Sequence, residues 1–239
     1  MKIGVIIQAR MGSTRLPGKV LKKLADKEVL WHVVERLKQS KHLNEIIVAT
    51  TTKQEDEEIS AFCERHNITC FKGDEFDVLN RYYEAAKVNN LDIIVRVTSD
   101  CPLIDPIVVD QLIETLLEGN YDYVSNSFEK TFAKGLECSA FTFNALQRCV
   151  LEATNPSHRE HVVLYMRENP TLFKTKGIRN EKDESDFRIT LDEDDDYKLL
   201  SIVYNELYET NNIISIKQAL AFIEQYNLKS INANVVQKS

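Results

Sequence analysis

The 239-residue chain has room for one substantial core or two small ones joined closely, and a hydrophobic content of 43% suits a folded, soluble protein. Its 37 acidic and 30 basic residues leave a formal charge of −7, which argues against a binder of nucleic acid polymers but leaves local basic clusters able to hold a small anion. No stretch has the length and apolarity of a membrane helix, and the run at 3–7 is too short for a secretion signal. Five cysteines without metal-ligand spacing point to reduced, structural thiols, so a cytoplasmic chain without a membrane partner is expected.

In chain order, the apolar run at 3–7 is a buried strand that empties into Gln8-Ala9-Arg10-Met11-Gly12-Ser13-Thr14-Arg15-Leu16-Pro17-Gly18-Lys19. Gly12 and Gly18 permit tight backbone geometry, Ser13 and Thr14 carry hydroxyl donors, Arg10 and Arg15 offer paired donors, and Lys19 adds a compact charge. This is a place to hold phosphates. Five residues separate Gly12 from Gly18 and Val20 follows Lys19, so the loop is neither a Walker A motif nor a dinucleotide fingerprint. A solvated basic turn after an edge strand is the plain alternative. The density of glycine, hydroxyl and cation at a strand end favours a nucleotide site.

Further strands are expected at 45–50 and 92–97. Leu30, Val33, Val34 and Leu37 make one helical face, and Ile59, Phe62 and Cys63 another. Strands 3–7 and 92–97 are apolar on both faces, as in the centre of an α/β sheet. A third helix is expected to carry Phe76, Leu79, Asn80, Tyr83 and Ala86. A fourth starts with Asp105 as cap and Pro106 in its first turn, and turns Ile107, Val108, Leu112, Ile113 and Leu116 inward. The aromatic segment 121–141 reads equally as an acceptor-binding flap, an interface arm, or ordinary core and hairpin. Helices are expected at 143–151, 157–167, 197–207 and 215–225.

Two carboxylates stand at strand ends. Asp100 follows the strand at 92–97 and can bind a hard cation. Asp192 ends a short strand expected over 187–192, where it can share one magnesium ion with Asp100. The competing structural readings are that Asp100 caps a turn and Asp192 belongs to the acidic helix start. Asp194, Asp195 and Asp196 are read as that solvated start, favoured by the helix field.

The chain resembles the cytidylyltransferases that make CMP-activated ulosonic or neuraminic acids, with the pattern of the spore-coat polysaccharide biosynthesis branch. The resemblance is carried by residues 7–19, by Asp77-Val78-Leu79-Asn80-Arg81-Tyr82-Tyr83, by Asp100-Cys101-Pro102-Leu103-Ile104-Asp105, by Arg159-Glu160-His161-Val162 and by Leu191-Asp192. It implies a Rossmann-like nucleotidyltransferase fold, with a central mostly parallel sheet covered by helices. The expected layout is one domain over 1–239, with 121–170 as an acceptor-binding or dimerisation embellishment. By the same likeness Arg10, Lys19, Asp100 and Asp192 are the catalytic set. Gln8, Ala9, Gly12, Ser13, Thr14, Arg15 and Arg81 join Arg10 and Lys19 around CTP, and Asp100 and Asp192 hold Mg2+. The backbone near Ala9 helps read cytosine, and the protein pairs as a homodimer.

One segment departs from the branch. Ala133-Lys134-Gly135-Leu136-Glu137-Cys138-Ser139 has Lys134, Glu137 and Ser139 where three acids are expected, so Lys134 and Glu137 are the candidate contacts to a small acidic, sugar-like acceptor. The implied reaction is attack of an acceptor oxygen on the α-phosphorus of CTP with pyrophosphate leaving. It needs positioning and charge stabilisation more than a covalent nucleophile, and neither His158 nor His161 is assigned as a base. A nucleotide-sugar-dependent glycosyltransferase and a noncatalytic nucleotide-binding regulator remain the other classes.

Overall fold

The computed structural model describes residues 1–209 and 213–235. In chain order the elements are β1 (Ile3–Gln8), β2 (Lys23–Leu24), β3 (Lys27–Glu28), α1 (Val29–Leu37), β4 (Glu45–Thr51), α2 (Glu57–Arg65), β5 (Thr69–Gly73), α3 (Val78–Val88), β6 (Ile93–Thr98), α4 (Pro106–Gly119), β7 (Tyr123–Ser125), β8 (Ser139–Thr142), α5 (Phe143–Glu152), α6 (Pro156–Glu160), α7 (Leu164–Glu168), β9 (Thr175–Gly177), α8 (Asp194–Leu207) and α9 (Ile216–Gln225). Seven strands form one sheet in the order β5-β4-β1-β6-β8-β7-β9, while β2 and β3 pair separately. Only β8 runs against its neighbours, so the sheet is mostly parallel, as expected.

The order of strands explains where a site can form. From β1 the chain winds outward through β4 and β5, then returns to lay β6 on the other side of β1. The loops leaving the carboxyl ends of β1 and β6 therefore diverge, which opens a crevice at that edge of the sheet.

Strand alternation sends two sets of side chains to two helical layers. Val5, Ile7, Val48, Val95, Val97, Val124 and Ala140 pack with α1, α2 and α4. Ile6, Ile47, Ala49, Ile94, Tyr123 and Phe141 pack with α3 and α5. A third apolar cluster gathers α8, α9, Leu24 and Leu103 with Leu136, Ile189 and Leu191. Two buried polar ties attach this C-terminal layer. Arg36 donates to the carbonyls of Ile104 and Ile214 at 2.6 Å each, and the Tyr204 hydroxyl donates to the Pro102 carbonyl at 2.7 Å.

Several expectations are corrected here. The segment 187–192 is not a strand. It makes one isolated bridge, Lys134 to Arg188, with backbone bonds from Lys134 N to Phe187 O and from Ile189 N to Lys134 O. Phe76 lies in the turn before α3 and is 78% exposed, because Asp77 caps the helix and starts it at Val78; Leu79 and Ala86 lie in the helix as expected and are buried, with Tyr82 and Ala85 beside them. Ile107 is 74% exposed in the first turn of α4, although Asp105 caps that helix as expected, accepting from Ile107 N. The helix expected at 157–167 is two short helices, since the chain breaks at 161–163 to bury Val162. Within 121–141, Tyr123 and Phe141 are core residues of β7 and β8, which bears out the core reading at those two positions.

Gly135 decides whether the 134–137 turn can lie against the 187–190 segment. Its φ is +110°, and a Cβ would stand 2.7 Å from Thr190 N and 2.8 Å from the Ile189 carbonyl carbon. Both obstacles are backbone and cannot rotate away. Gly135→Ala is expected to destabilise the fold by about 1–3 kcal/mol or more. Urea unfolding of the variant beside wild type measures this, and an unchanged midpoint would contradict it.

Candidate functional site

The crevice at the carboxyl ends of β1 and β6 is filled by charge. Lys19 begins a short 3-10 turn, Lys19–Leu21, entered through Gly18 at φ 66°, so the loop after β1 doubles back and delivers its last cation to the sheet edge. The Lys19 ammonium donates to Asp100 Oδ2 at 2.8 Å and to Asp192 Oδ1 at 3.0 Å. Residues far apart in sequence thus meet at one nitrogen. The 187–192 segment is held beside Asp100 by backbone, with Leu191 N donating to the Asp100 carbonyl at 2.8 Å.

Each member of this group has a second restraint. Thr98 Oγ1 donates to Asp100 Oδ1 at 2.5 Å. Arg15 reaches Asp192 Oδ1 at 3.1 Å and Glu193 at 3.2 Å. Arg188 donates to Asp192 Oδ2 at 3.0 Å and clamps Asp196 through Nε at 2.7 Å and Nη2 at 2.8 Å. Burial alone would lower the Lys19 pKa, but the Asp100 and Asp192 carboxylates more than offset it and hold the ammonium above its ordinary value. Burial would likewise raise the Asp192 carboxyl, and Lys19, Arg15 and Arg188 reverse the sign to hold it below 3.8.

Asp196 corrects the solvated reading. It is fully buried at the third position of α8 and accepts from Arg188, from Asn232 Nδ2 at 2.8 Å, and from the backbone N–H groups of Asp192 and Glu193. Its role is to fix the turn that presents Asp192. Asp194 does stay exposed, as expected of a helix start.

The loop's other cations are set apart. Arg10 is exposed and stands 3.5 Å from Glu75, which also pairs with Lys53 at 2.6 Å. Arg81, expected at the nucleotide, is 4% exposed and donates to the Asp74 carbonyl at 2.8 Å, so it braces the 73–77 turn from beneath. Gln8 ends β1, with its side-chain oxygen 3.4 Å from the Tyr82 hydroxyl, and Ala9 N donates to the Ala49 carbonyl. Within the loop, the Met11 carbonyl accepts from both Ser13 N and Gly18 N, Ser13 Oγ accepts from Leu16 N, and Thr14 is exposed. A Cβ on Gly12 would meet Glu55 Oε1 at 2.9 Å.

Lys134 and Glu137 lie across from Arg188. Glu137 Oε2 accepts from Gly135 N at 2.6 Å, and Lys134 is drawn by Glu137, Asp192 and Asp196 while burial, then Arg188, lowers its pKa. Sequence reasoning missed Asp56, which is buried, accepts from Met11 N at 2.6 Å and from the Thr51 hydroxyl, and so pins the loop's first turn. It also missed Thr98, Arg188 and Asp196. No helical spacing signals Arg188, because 188–193 is irregular backbone ahead of α8. Arg159 and Asp77, from two separate motifs, pair at 2.5 Å and join α6 to the start of α3.

Comparison with known proteins gives the chain's family. A family model described as Cytidylyltransferase matches residues 4–231. An uncharacterized protein of Methanocaldococcus jannaschii is 43% identical over all of this chain and 98% of its own length. The spore coat polysaccharide biosynthesis protein SpsF of Bacillus subtilis is 30% identical over 87% of this chain and 88% of its own. Among solved structures, a cytidylyltransferase from Leptospira borgpetersenii superposes with a TM-score of 0.91 at 36% identity, covering all of both chains. The charged crevice at the β1 and β6 ends thus belongs to a member of the cytidylyltransferase family, whose enzymes are CTP-dependent nucleotidyltransferases.

Proposed function

We propose that the protein transfers CMP from CTP to a hydroxyl of a small sugar acid, releasing pyrophosphate, in the biosynthesis of a surface or spore-coat polysaccharide. The observation that carries this reading is the meeting of Lys19, Asp100 and Asp192 at the switch point of the sheet. The polysaccharide setting is supported by the likeness to SpsF.

Mg2+ is the ion this reading requires. Asp100 Oδ2 and Asp192 Oδ1 already converge on one cationic nitrogen, and two carboxylate oxygens suit an ion that keeps waters and takes its other ligands from substrate phosphates. Among the described residues no three or more His, Cys, Asp or Glu side chains gather as a metal cage, and two aspartates would leave the remaining ligand positions to water and the triphosphate. When bound, such an ion would neutralise phosphate charge and stabilise the departing pyrophosphate.

The chain's own groups supply the rest. Lys19 has three donors, two of them held by carboxylates, and the third can turn to a phosphate oxygen without leaving its place. Arg15 brings a paired donor to the same side, and Arg10 approaches from the Glu75 side. Ala9 follows β1 with its N–H held by the Ala49 carbonyl, which leaves its own carbonyl as the backbone group to meet the pyrimidine. The acceptor hydroxyl oxygen attacks the α-phosphorus in line and loses its proton to solvent, the bond to the β-phosphate breaks with its electrons leaving on pyrophosphate, and no covalent intermediate on the protein is needed.

The direct test is incubation with CTP, magnesium and a panel of sugar acids, read by pyrophosphate release and by the mass of a CMP adduct. CTP is expected to give a higher kcat/KM than ATP, GTP or UTP with the true acceptor. A clear preference for UTP or GTP at matched magnesium would overturn the base assignment.

Asp100→Asn and Asp192→Asn preserve volume while removing charge from the shared site. Each is expected to lower kcat/KM by about 10²-fold or more, and the double variant to lose less than the two single losses combined. Folded variants with near-wild-type magnesium-dependent turnover would refute the metal pair.

Asp192 also carries a pH signature. Because its folded-state pKa is depressed below 3.8, the stability it contributes is present above that value and is lost as pH falls through the lowered one. Urea midpoints should show Asp192→Asn less stable than wild type at neutral pH, with the gap narrowing in strong acid. A gap independent of pH would mean the carboxylate's charge is not what stabilises the turn.

A further inference from the structure

Arg96 is a charged residue that the fold leaves unexplained. On the sheet face covered by α3 and α5, the rung Gly4–Ile94–Phe141–Tyr123 is apolar beyond its glycine and lies in the core. One rung nearer the crevice, register places Ile6, Arg96, Ser139 and Ser125 side by side. A guanidinium thus stands in a central strand, half-buried, with two buried serines beyond it.

A buried donor normally finds an acceptor, because leaving it without one costs free energy. Of the other arginines of this region, Arg10, Arg15, Arg159 and Arg188 each hold a carboxylate, and Arg81, whose Nε is also buried without a partner, donates to the Asp74 carbonyl. Arg96 enters no such pair among the described residues, and its Nε is buried without a hydrogen-bond partner. Ser139 Oγ donates to Ser125 Oγ at 3.2 Å, and Ser125 Oγ donates to the Cys138 carbonyl at 3.3 Å, so neither serine supplies the missing anion.

The position also suits the proposed chemistry. Same-face residues on a strand are about 7 Å apart, so Arg96 lies one step behind Thr98, which holds Asp100. Lys134, the cation first expected to attract the acceptor, is disfavoured as an ammonium by burial and by Arg188, and the fields of Glu137, Asp192 and Asp196 only partly offset this. Among the described residues Arg96 has neither a carboxylate nor a carbonyl as partner, whereas Arg81 at least holds the Asp74 carbonyl.

We propose that Arg96 is the anion anchor of the acceptor subsite: it receives the carboxylate of the sugar acid on the sheet face beside Ser139 and orients the attacking hydroxyl toward the Asp100 edge. This rests on the sugar-acid reading above. A paired donor matches a carboxylate in two bonds and fixes its orientation, which a lysine at the same place would not do.

The test uses the full chain with CTP and magnesium, and takes 3-deoxy-manno-octulosonate and N-acetylneuraminate as acceptor probes, each beside its carboxamide. Wild type is expected to turn over at least one acid and to discriminate against its amide. Arg96→Met should raise the acceptor KM about tenfold or more and erase the acid-over-amide preference, while CTP affinity by calorimetry stays within about twofold of wild type. Arg96→Lys, which keeps the charge but not the paired donors, should recover part of the preference and guards against a folding artefact. An Arg96→Met protein that binds CTP and keeps both the acceptor KM and the acid preference would overturn the anchor alone. A wild type that consumes CTP only with uncharged acceptors would overturn the sugar-acid reading, and the anchor with it.

Discussion

The ammonium of Lys19 between Asp100 and Asp192 is the interaction on which the arrangement of the crevice depends. Two carboxylates near one another repel unless a cation stands between them, and the repulsion grows as water is excluded. Lys19 is mostly shielded, so its attraction to both acids is worth more than that of a surface pair. It joins the loop after β1, the loop after β6 and the turn before α8, three segments that no regular hydrogen-bond ladder connects.

The C-terminal layer makes that meeting possible. Asp192 has no strand to hold it, and its position follows from Asp196, which is fully buried and satisfied on both oxygens by Arg188, Asn232 and two backbone N–H groups. A buried ion pair is costly to desolvate and stabilises little by itself, but removing one partner would strand the other charge. Its effect here is to specify one conformation of the 188–193 turn. Gly135 serves the same end from the opposite side, because only a residue without a Cβ lets the 134–137 turn lie against that segment.

Much of this was legible in the sequence, and the reason is periodicity. The strands at β1, β4 and β6 and the helices α1, α2, α5, α8 and α9 carry apolar spacing that burial enforces, and each was placed within a few residues. Short β5 and β9 carry no such pattern and went unread. The site was legible where a residue sits at the end of a regular element, as Asp100 and Lys19 do. It was not legible where geometry comes from tertiary partners. Asp196 looks like any acid in a helix's first turn until Arg188 is seen beside it. Arg81 reads as a surface cation in a motif and proves to be a brace, because Asp74, seven residues earlier, turns its carbonyl inward.

The charge of the crevice bears on what it can admit. Arg15, Lys19 and Arg188 form one connected network of ion pairs with Asp100, Asp192, Glu193 and Asp196, three cations against four carboxylates. Such a network is close to balanced, with one carboxylate in excess. A triphosphate entering it would meet cations already engaged by carboxylates, and its own charge would push against Asp100 and Asp192. In the proposed reaction Asp100 and Asp192 would hold a divalent ion whose charge would offset theirs and the phosphates', leaving Lys19 and Arg15 able to donate to phosphate oxygens. The two cationic groups are also set apart. Arg15 and Lys19 sit among the carboxylates, whereas Arg10, exposed beside Glu75, stands outside that network.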